Sequence, residues 1–427
     1  MHDDDIEFAT TTEGKSHRSR LVGIITIVVL LVVGAAVVVL NTLPLSRLTI
    51  TLPQSSPTVA QCQQRWKWVA TDTAESFTAI TALSTNDAWA VGTRKENSFK
   101  IAIIAHWDGK QWRDTPLLTD IADSWSINDI AASDALHVWA VGSNNNDQPL
   151  ILRWNGSAWE KATTPATGAD GNQLTSIAIA SGQDIWAVGG SIFTPTTPTQ
   201  TLHPFAEHWD GQSWHIVPVS ASGTFSDIGV GASGDAWGII GQSNQIVRWD
   251  GQAWKTMPSP APTDHTLEIQ AIAVDANDHV WAAGSYNPPT SNWEEPILEQ
   301  WNGTTWTMMP TGDMTEGLEA RGAFFDRLSV GSNSSLWLAG DFKDPNTRLE
   351  RAFSLYFDGQ ASRLSHYPSF YSDPGGGSAF GVLDIAAVPG TNTAWIVGAT
   401  GAVPDPALPP IDDNLPVASG GFMLYYC

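Results

Sequence analysis

The stretch DAWAVGTRKENSFKIAIIAHWDGKQW, residues 87–112, contains the two motifs from which the fold follows. The first motif is Trp89 followed by Gly92, inside the apolar run WAVG. The second, at 107–112, is an aromatic residue, an Asp-Gly pair and a further Trp. Asp-Gly favours tight hairpins, because both central positions of a type I′ turn need positive φ. The stretch therefore predicts an inner strand that leads through a connection to a hairpin of two more strands.

Both motifs recur along the chain. Intervals between the anchor tryptophans run from 44 residues, between Trp237 and Trp281, to 58, between Trp337 and Trp395, as expected of a propeller or solenoid. The seven anchors are Trp89, Trp139, Trp186, Trp237, Trp281, Trp337 and Trp395. The turn motif stands at 106–112, 153–159, 208–214, 248–254 and 300–306.

A further short strand precedes each anchor, with Ile or Leu nine or ten residues before the Trp. Four antiparallel strands in each of seven units predict an all-β, seven-bladed β-propeller. The composition agrees: 21 Trp and 37 Gly with only 15% charged residues suit short strands, tight turns and aromatic packing between blades.

The two ends of the domain complement each other. The sixth unit lacks the Trp after its Asp-Gly turn, and the seventh ends with its third strand, 422–427. The missing fourth strand is predicted at 65–70, where Trp66 takes the place of the fourth-strand Trp, while Tyr426 aligns the third strand with that of the preceding unit. The propeller therefore extends over 62–427 and is closed by its own ends.

This alignment puts Cys62 and Cys427 at the same turn of the last blade. A disulfide needs Cα atoms within about 7 Å, and the alignment brings the only two cysteines that near. We expect them to pair, which on the chain-entropy model removes roughly 5 to 6 kcal/mol of unfolded-state freedom. Two unrelated free thiols are the alternative.

An apolar segment precedes the propeller. Residues 21–40, LVGIITIVVLLVVGAAVVVL, carry no charge and could cross roughly 30 Å of hydrocarbon as a helix. Three Lys and Arg residues lie close before the segment, in the tail 1–20, and only Arg47 lies in the twenty residues after it. The positive-inside rule therefore predicts a cytoplasmic N-terminus, with the Pro/Ser/Thr-rich stalk 41–61 and the propeller outside. The alternative is a cleaved signal peptide, but the apolar run exceeds the usual length and no A-x-A-like site closely follows it.

The net charge of −23 argues against a nucleic-acid partner, because phosphates would be repelled. Cationic ligands and Ca²⁺ remain open, although no cofactor or metal is predicted. The histidines form no HExxH or similar ligand spacing, and no GxSxG elbow or phosphate-binding loop is present.

The DxWAVG…HWDGxxW pattern resembles kelch repeats and galactose-oxidase-like propellers, in a variant common in bacterial surface proteins. The resemblance covers 62–427 and implies the fold, whereas propellers of this kind serve many functions. Galactose oxidase chemistry would need copper ligands and a Tyr cross-linked to a Cys. Since both cysteines are assigned to ring closure, this activity is not expected here.

One position of the innermost strand is a candidate site near the channel mouth. Directly before the first-strand Ile or Leu stand Ala79, Asp129, Ser176, Asp227, Ala271, Arg327 and Asp384. The three acids and the Arg converge there to bind a ligand, or they hydrogen-bond the backbones of neighbouring blades. The second interpretation is favoured.

The connections of variable length emerge at the rim opposite the Asp-Gly turns, and they carry aromatics outside the repeat motif. These are Tyr286, Trp293, Tyr367, Phe370 and Tyr371. Variable loops on a rigid scaffold commonly bind ligands. The leading hypothesis is therefore a membrane-anchored extracytoplasmic module that binds a glycan, peptide or protein through this face. The alternative is a carbohydrate-active enzyme that uses the acids near the channel mouth.

Overall fold

A computed structural model describes residues 65–427, apart from short internal gaps. The gaps are 70–75, 97–98, 119–120, 122–124, 145–147, 166–170, 194–200, 242–243, 260–265, 289–292, 316–320, 332–333, 344–349, 367–379 and 401–419. The predicted tail, membrane segment and stalk, together with Cys62, Tyr367, Phe370 and Tyr371, lie outside the described residues. Within those residues, no helix combines the length and apolar character needed to span a bilayer.

In the described part of the chain, twenty-eight strands form seven four-stranded antiparallel sheets, which are the blades of a propeller. Blade 1 contains β2 Ser76–Ser84, β3 Asp87–Glu96, β4 Phe99–Trp107 and β5 Trp112–Asp114. Blade 2 contains β6 Trp125–Asp134, β7 His137–Asn144, β8 Pro149–Trp154 and β9 Trp159–Lys161. Blade 3 contains β10 Gly171–Ser181, β11 Asp184–Phe193, β12 Thr201–Trp209 and β13 Trp214–Ile216. Blade 4 contains β14 Phe225–Val230, β15 Ala236–Ile240, β16 Gln245–Trp249 and β17 Trp254–Met257. Blade 5 contains β18 Thr266–Val274, β19 Val280–Asn287, β20 Glu295–Trp301 and β21 Trp306–Met308. Blade 6 contains β22 Arg321–Val330, β23 Leu336–Lys343, β24 Glu350–Phe357 and β25 Ser362–His366. Blade 7 contains β26 Phe380–Ala387, β27 Ala394–Thr400, β28 Gly420–Tyr426 and the N-terminal strand β1 Trp66–Val69, and a short helix α1, Thr311–Met314, joins blades 5 and 6.

The core lies between blades. Seven clusters of buried side chains each combine residues of two neighbouring blades, and the cluster of blades 7 and 1 completes the circle. The anchor Trp of one blade packs edge-on against the fourth-strand Trp of the next, as Trp186 does against Trp254 with centroids 5.3 Å apart. The predicted use of Trp for blade packing is confirmed.

The predicted closure is also confirmed. β1 pairs antiparallel with β28, with Trp66 opposite Tyr426. Trp66 packs edge-on against Trp337 of blade 6 at 5.6 Å, as the other fourth-strand tryptophans do, and its indole N–H donates to Ser354 Oγ at 2.8 Å. Blade 6, which lacks the fourth-strand Trp, still forms four strands.

The predicted type I′ geometry of the Asp-Gly turns is wrong. At 107–112 only Gly109 has positive φ, and four residues separate the paired Trp107 and Trp112. Asp108 Oδ1 accepts the backbone N–H groups of Lys110 and Gln111 at 2.9 and 3.0 Å. The side chain thus satisfies the turn amides, so a longer loop is favoured over the two-residue turn.

A β-bulge interrupts the innermost strand of every blade near its start. In blade 2 the register between the first two strands shifts between Ile127 and Asp129. Opposite the bulge stands Gly142, the Gly of the WAVG motif, where a Cβ would lie only 1.9 Å from the carbonyl oxygen of Ser126. The motif glycine therefore provides room for the bulge, and the bulge turns the following side chain towards the channel.

Candidate site at the channel mouth and the crevice between blades 5 and 6

The seven inner positions predicted from the sequence converge. They line a cavity of 390 Å³ in the channel, together with the bulge residues that precede several of them. Since the bulges lie near the beginning of the innermost strands, this cavity opens towards the rim that carries the variable connections. Asp129, Asp227, Arg327 and Asp384 are half-buried there.

Each inner acid joins two blades through backbone hydrogen bonds. In blade 2, Asp129 Oδ1 accepts the N–H of Ile130 at 2.7 Å, and Oδ2 accepts the N–H of Ile177 in blade 3 at 2.8 Å. Asp227 accepts the N–H groups of Ile228, in its own blade, and of Ile272, in blade 5, at 2.9 and 2.8 Å.

Asp384 repeats this arrangement across the ring closure, with the N–H groups of Ile385 and Ile80 both at 2.8 Å. Three acids thereby serve six of the seven blades. Because the amide of each intervening blade is already bound by the preceding acid, Ala79, Ser176 and Ala271 need no carboxylate. An odd number of blades leaves one without a partner, and this is blade 6, where Arg327 donates to the carbonyl oxygen of Leu383.

The positive charge of Arg327 partly balances the negative charges of the three inner acids. Burial first, and then the charge of the neighbouring Asp129, raise the pKa of Asp384 to about 7 and that of Asp227 to about 6. Burial also raises the pKa of Asp129, while the Arg327 guanidinium acts in the opposite direction on all three acids. The Ser176 hydroxyl lies 2.9 Å from Asp129 and 3.2 Å from Asp227, so it links two of the acids.

A second cavity lies on the same rim, between blades 5 and 6. This crevice has a volume of 420 Å³ and shares Gln270 with the channel cavity. Its lining residues are Glu268, Gln270, Ser285, Asn287, Trp293, Glu294, Gly322, Phe324 and Lys343.

Trp293, one of the aromatics singled out in the sequence, forms a wall of this crevice. Its side chain is 39% exposed, and the ammonium group of Lys343 lies 6.0 Å from its ring centre. On the other side, a Cβ at Gly322 would lie 3.6 Å from the indole, so the small residue leaves the ring accessible. Tyr286 does not line the crevice: its hydroxyl donates to Glu295 Oε2 at 2.7 Å, and its ring packs on the core between blades 4 and 5.

Comparison with known structures supports the fold. The chain is similar to YCF48 in a structure with a bound D1 peptide, at 14% identity over 85% of this chain and 97% of that chain, with a TM-score of 0.50. It is similar to the extracellular domain of a hybrid two-component system of B. thetaiotaomicron, at 11% identity over 84% of this chain and 39% of that chain, also with a TM-score of 0.50.

The chain is a β-propeller. At these identities the likeness shows the fold alone. No protein-family model and no curated protein sequence matches the chain. In the part of the chain that the structure describes, no three or more His, Cys, Asp or Glu side chains form a group that could hold a metal ion.

Proposed function

We propose that this protein is a binding module that recognises a glycan through the rim carrying the variable connections, at the crevice between blades 5 and 6. The observation that supports this most directly is the accessible face of Trp293 beside carboxylate, amide and ammonium groups. A partly exposed Trp in a concave site offers an apolar ring face and a polar N–H to a ligand.

The composition of the crevice suits a sugar. Glu268 and Glu294 supply acceptors, Lys343 supplies donors, and the amides of Gln270 and Asn287 supply both. Sugars present hydroxyl groups around an apolar ring face, so an aromatic wall with several mixed donors and acceptors matches them better than it matches a purely apolar ligand. The adjoining channel cavity provides room for a second sugar unit at Gln270.

A carbohydrate-active enzyme that uses the inner acids is less well supported. Asp129, Asp227 and Asp384 each accept backbone N–H groups from two blades. A general acid or base must exchange its proton with a substrate, and these carboxylate oxygens are already occupied by the blade backbones. Their arrangement favours the structural interpretation of the inner ring.

The proposal includes an extracytoplasmic location. Residues 21–40 form an uncharged apolar run preceded by basic residues, which supports a single membrane span with the N-terminus in the cytoplasm. A Cys62–Cys427 disulfide would be consistent with such a compartment. A kelch-like or galactose-oxidase-like origin of the repeat rests on the DxWAVG…HWDGxxW pattern.

A glycan array probed with the full-length chain in detergent tests the proposed function. We expect binding to a restricted set of glycans, and we expect Trp293→Ala to lose that binding while the melting temperature changes little. The matched control is Phe99→Ala, because Phe99 is 74% exposed and does not line the crevice. Binding that survives Trp293→Ala, or that Phe99→Ala removes equally, would contradict the crevice as the site.

A further inference from the structure

On the face with the Asp-Gly turns, several blades pair a base with an aspartate. The base directly precedes the third-strand Trp, and the aspartate stands two residues before the anchor Trp. In blade 1, His106 Nε2 lies 2.9 Å from Asp87, and in blade 3, His208 Nε2 lies 2.8 Å from Asp184.

Blade 4 has the same pair with an arginine. Arg248 Nη2 lies 2.5 Å from Asp235, and its guanidinium carbon lies 5.3 Å from the ring centre of the anchor Trp237. The blades thus combine three groups at this position: an anchor Trp, a base stacked over it, and an aspartate that binds the base.

Blade 2 keeps the base of this pair but lacks the aspartate. Arg153 occupies the base position, 5.4 Å from the ring centre of Trp139, but His137 replaces the aspartate. The imidazole of His137 is itself bound to Asp134, with Nδ1 2.8 Å from Oδ2. Arg153 is exposed and has no hydrogen-bonded or ion-paired partner among the described residues.

Blade 5 shows that the aspartate can be lost without leaving an unmatched charge. There His279 replaces the aspartate, but the base position holds the neutral Gln300. Blade 2 therefore retains a cation whose usual carboxylate is absent, in a chain whose net charge is −23. A carboxylate from another molecule would supply the charged hydrogen-bond acceptor that a guanidinium favours.

Arg153 also lies in a groove. Two cavities of 710 and 570 Å³ at the junction of blades 2 and 3 share Arg153 and Trp209. The larger extends between the outermost strands β9 and β13, where Ile216 is 43% exposed. These edge strands present backbone N–H and C=O groups that an extended chain can pair with.

We propose that this groove binds an extended peptide segment of a partner protein, with an Asp or Glu side chain of the peptide on Arg153. The edge strands favour a peptide over a sugar, and the unmatched guanidinium requires the peptide to be acidic. Other charged groups of the lining have partners of their own: Asn155 donates to Glu160, and His215 is bound to Asp210. The groove is on the opposite face from the proposed glycan crevice, so the two proposals stand independently.

The decisive variant is His137→Asp, which restores the aspartate found in blades 1, 3 and 4. It should occupy Arg153 and weaken binding without removing any residue of the groove wall. His279→Asp is its matched control, since it adds the same charge at the equivalent position of blade 5, where the base position holds Gln300 and not an arginine. A second variant, Arg153→Gln, removes the guanidinium directly.

The probe is an immobilised peptide of alternating Asp and Val, measured by biolayer interferometry against the full-length chain in detergent. Its counterpart with Asn in place of Asp and a galacturonic acid oligosaccharide are measured in parallel. We expect the acidic peptide to bind, and both His137→Asp and Arg153→Gln to weaken it by at least about tenfold, or 1.4 kcal/mol. His279→Asp should leave the affinity unchanged.

Four outcomes would overturn the proposal. The first is no binding of the acidic peptide, and the second is equal binding of the Asn peptide. The third is binding that His137→Asp and His279→Asp reduce equally, since this would reflect net charge alone. Preference for the oligosaccharide over the peptide would assign the groove to acidic sugars and also reject a peptide partner.

Discussion

The carboxylate of Asp384 joins the last blade to the first: its Oδ2 accepts the backbone N–H of Ile80 at 2.8 Å, across 304 residues of chain. Its Oδ1 accepts the N–H of Ile385 within its own blade. One side chain at the channel thus supports the same closure that β1 and β28 make at the outer edge.

Replacing this carboxylate should loosen the closure. Asp384→Ala leaves two amides without their acceptor, at a cost of about 1 to 3 kcal/mol for each amide that stays buried. We expect a lower melting temperature and faster hydrogen exchange in peptides covering Ser76–Ser84, measured by mass spectrometry. Asp129→Ala should instead accelerate exchange around Ile177, because that amide depends on Asp129.

Glu96→Ala is the control for both variants, since Glu96 is an exposed residue of blade 1. It should change neither exchange pattern. If Asp384→Ala and Asp129→Ala produced the same exchange pattern, the specific bond between Asp384 and Ile80 would not be what holds blade 1 to blade 7.

A buried glutamate in blade 3 should make stability depend on pH. Glu207 is 0% exposed, neither of its carboxylate oxygens has a hydrogen-bond partner among the described residues, and burial raises its pKa from 4.5 to about 8. Between these values the folded protein holds a proton that the unfolded chain releases, so the free energy of unfolding falls as pH rises. Each pKa unit corresponds to about 1.4 kcal/mol, and the loss should reach a few kcal/mol by pH 8.

Glu207→Leu tests this, because Leu152 occupies the equivalent position in blade 2. The variant should raise the melting temperature more at pH 8 than at pH 4, measured by calorimetry at both values. An equal gain at the two pH values would mean that packing, and not ionisation, accounts for the effect.

The aspartates of the Asp-Gly turns have the opposite effect, because they lower the free energy of unfolding as pH falls. The amide of Ser213 is the main cause that lowers the pKa of Asp210 to about 2. Such carboxylates stabilise the fold above their ordinary pKa of about 4, and that contribution is lost as pH falls towards 2. Together with Glu207 and the inner acids, they predict greatest stability in mildly acidic solution. A thermal-stability profile that rose steadily from pH 5 to pH 9 would contradict this.

The motif glycines should tolerate no side chain where they face a bulge. Gly142→Ala would bring a Cβ to 1.9 Å from the Ser126 carbonyl oxygen, so the bulge of blade 2 must move or open. We expect a loss of at least about 3 kcal/mol, comparable to severe overpacking. Gly312→Ala, in the short helix α1, meets no atom within 4 Å and should change the urea unfolding midpoint little. Similar midpoints for the two variants would refute the role assigned to Gly142.

The sequence predicted the number of blades, their strands and the closing strand, because each depends on a motif that recurs within a few residues. The sequence also carries a signal for the bulges: core residues such as Phe77 and Ile80 stand three apart, which breaks the alternation of a regular strand. The unmatched Arg153 was harder to predict. Its significance depends on the cross-strand register that sets Arg153 opposite Trp139 and near His137.

The ring closure also predicts a disulfide between the two cysteines. Arg65 and Cys427 exchange backbone hydrogen bonds, at 3.2 and 3.3 Å, so Cys427 continues the pairing of β1 with β28. Cys62 precedes Arg65 by only three residues, and three residues of extended chain span at most about 11 Å. We therefore expect a disulfide in protein isolated from its native compartment, found as a linked peptide pair by mass spectrometry without reduction.

The energetic signature of this bond is non-additive. Cys62→Ser and Cys427→Ser each abolish the same cross-link, so the double variant should melt at nearly the same temperature as either single variant. The loss should be at most roughly 6 kcal/mol, the upper end of the chain-entropy model for so long a loop. If the two losses instead added, the cysteines would contribute separately, and if both thiols were found free in the isolated protein, the closure would depend on β1 and Asp384 without a covalent bond.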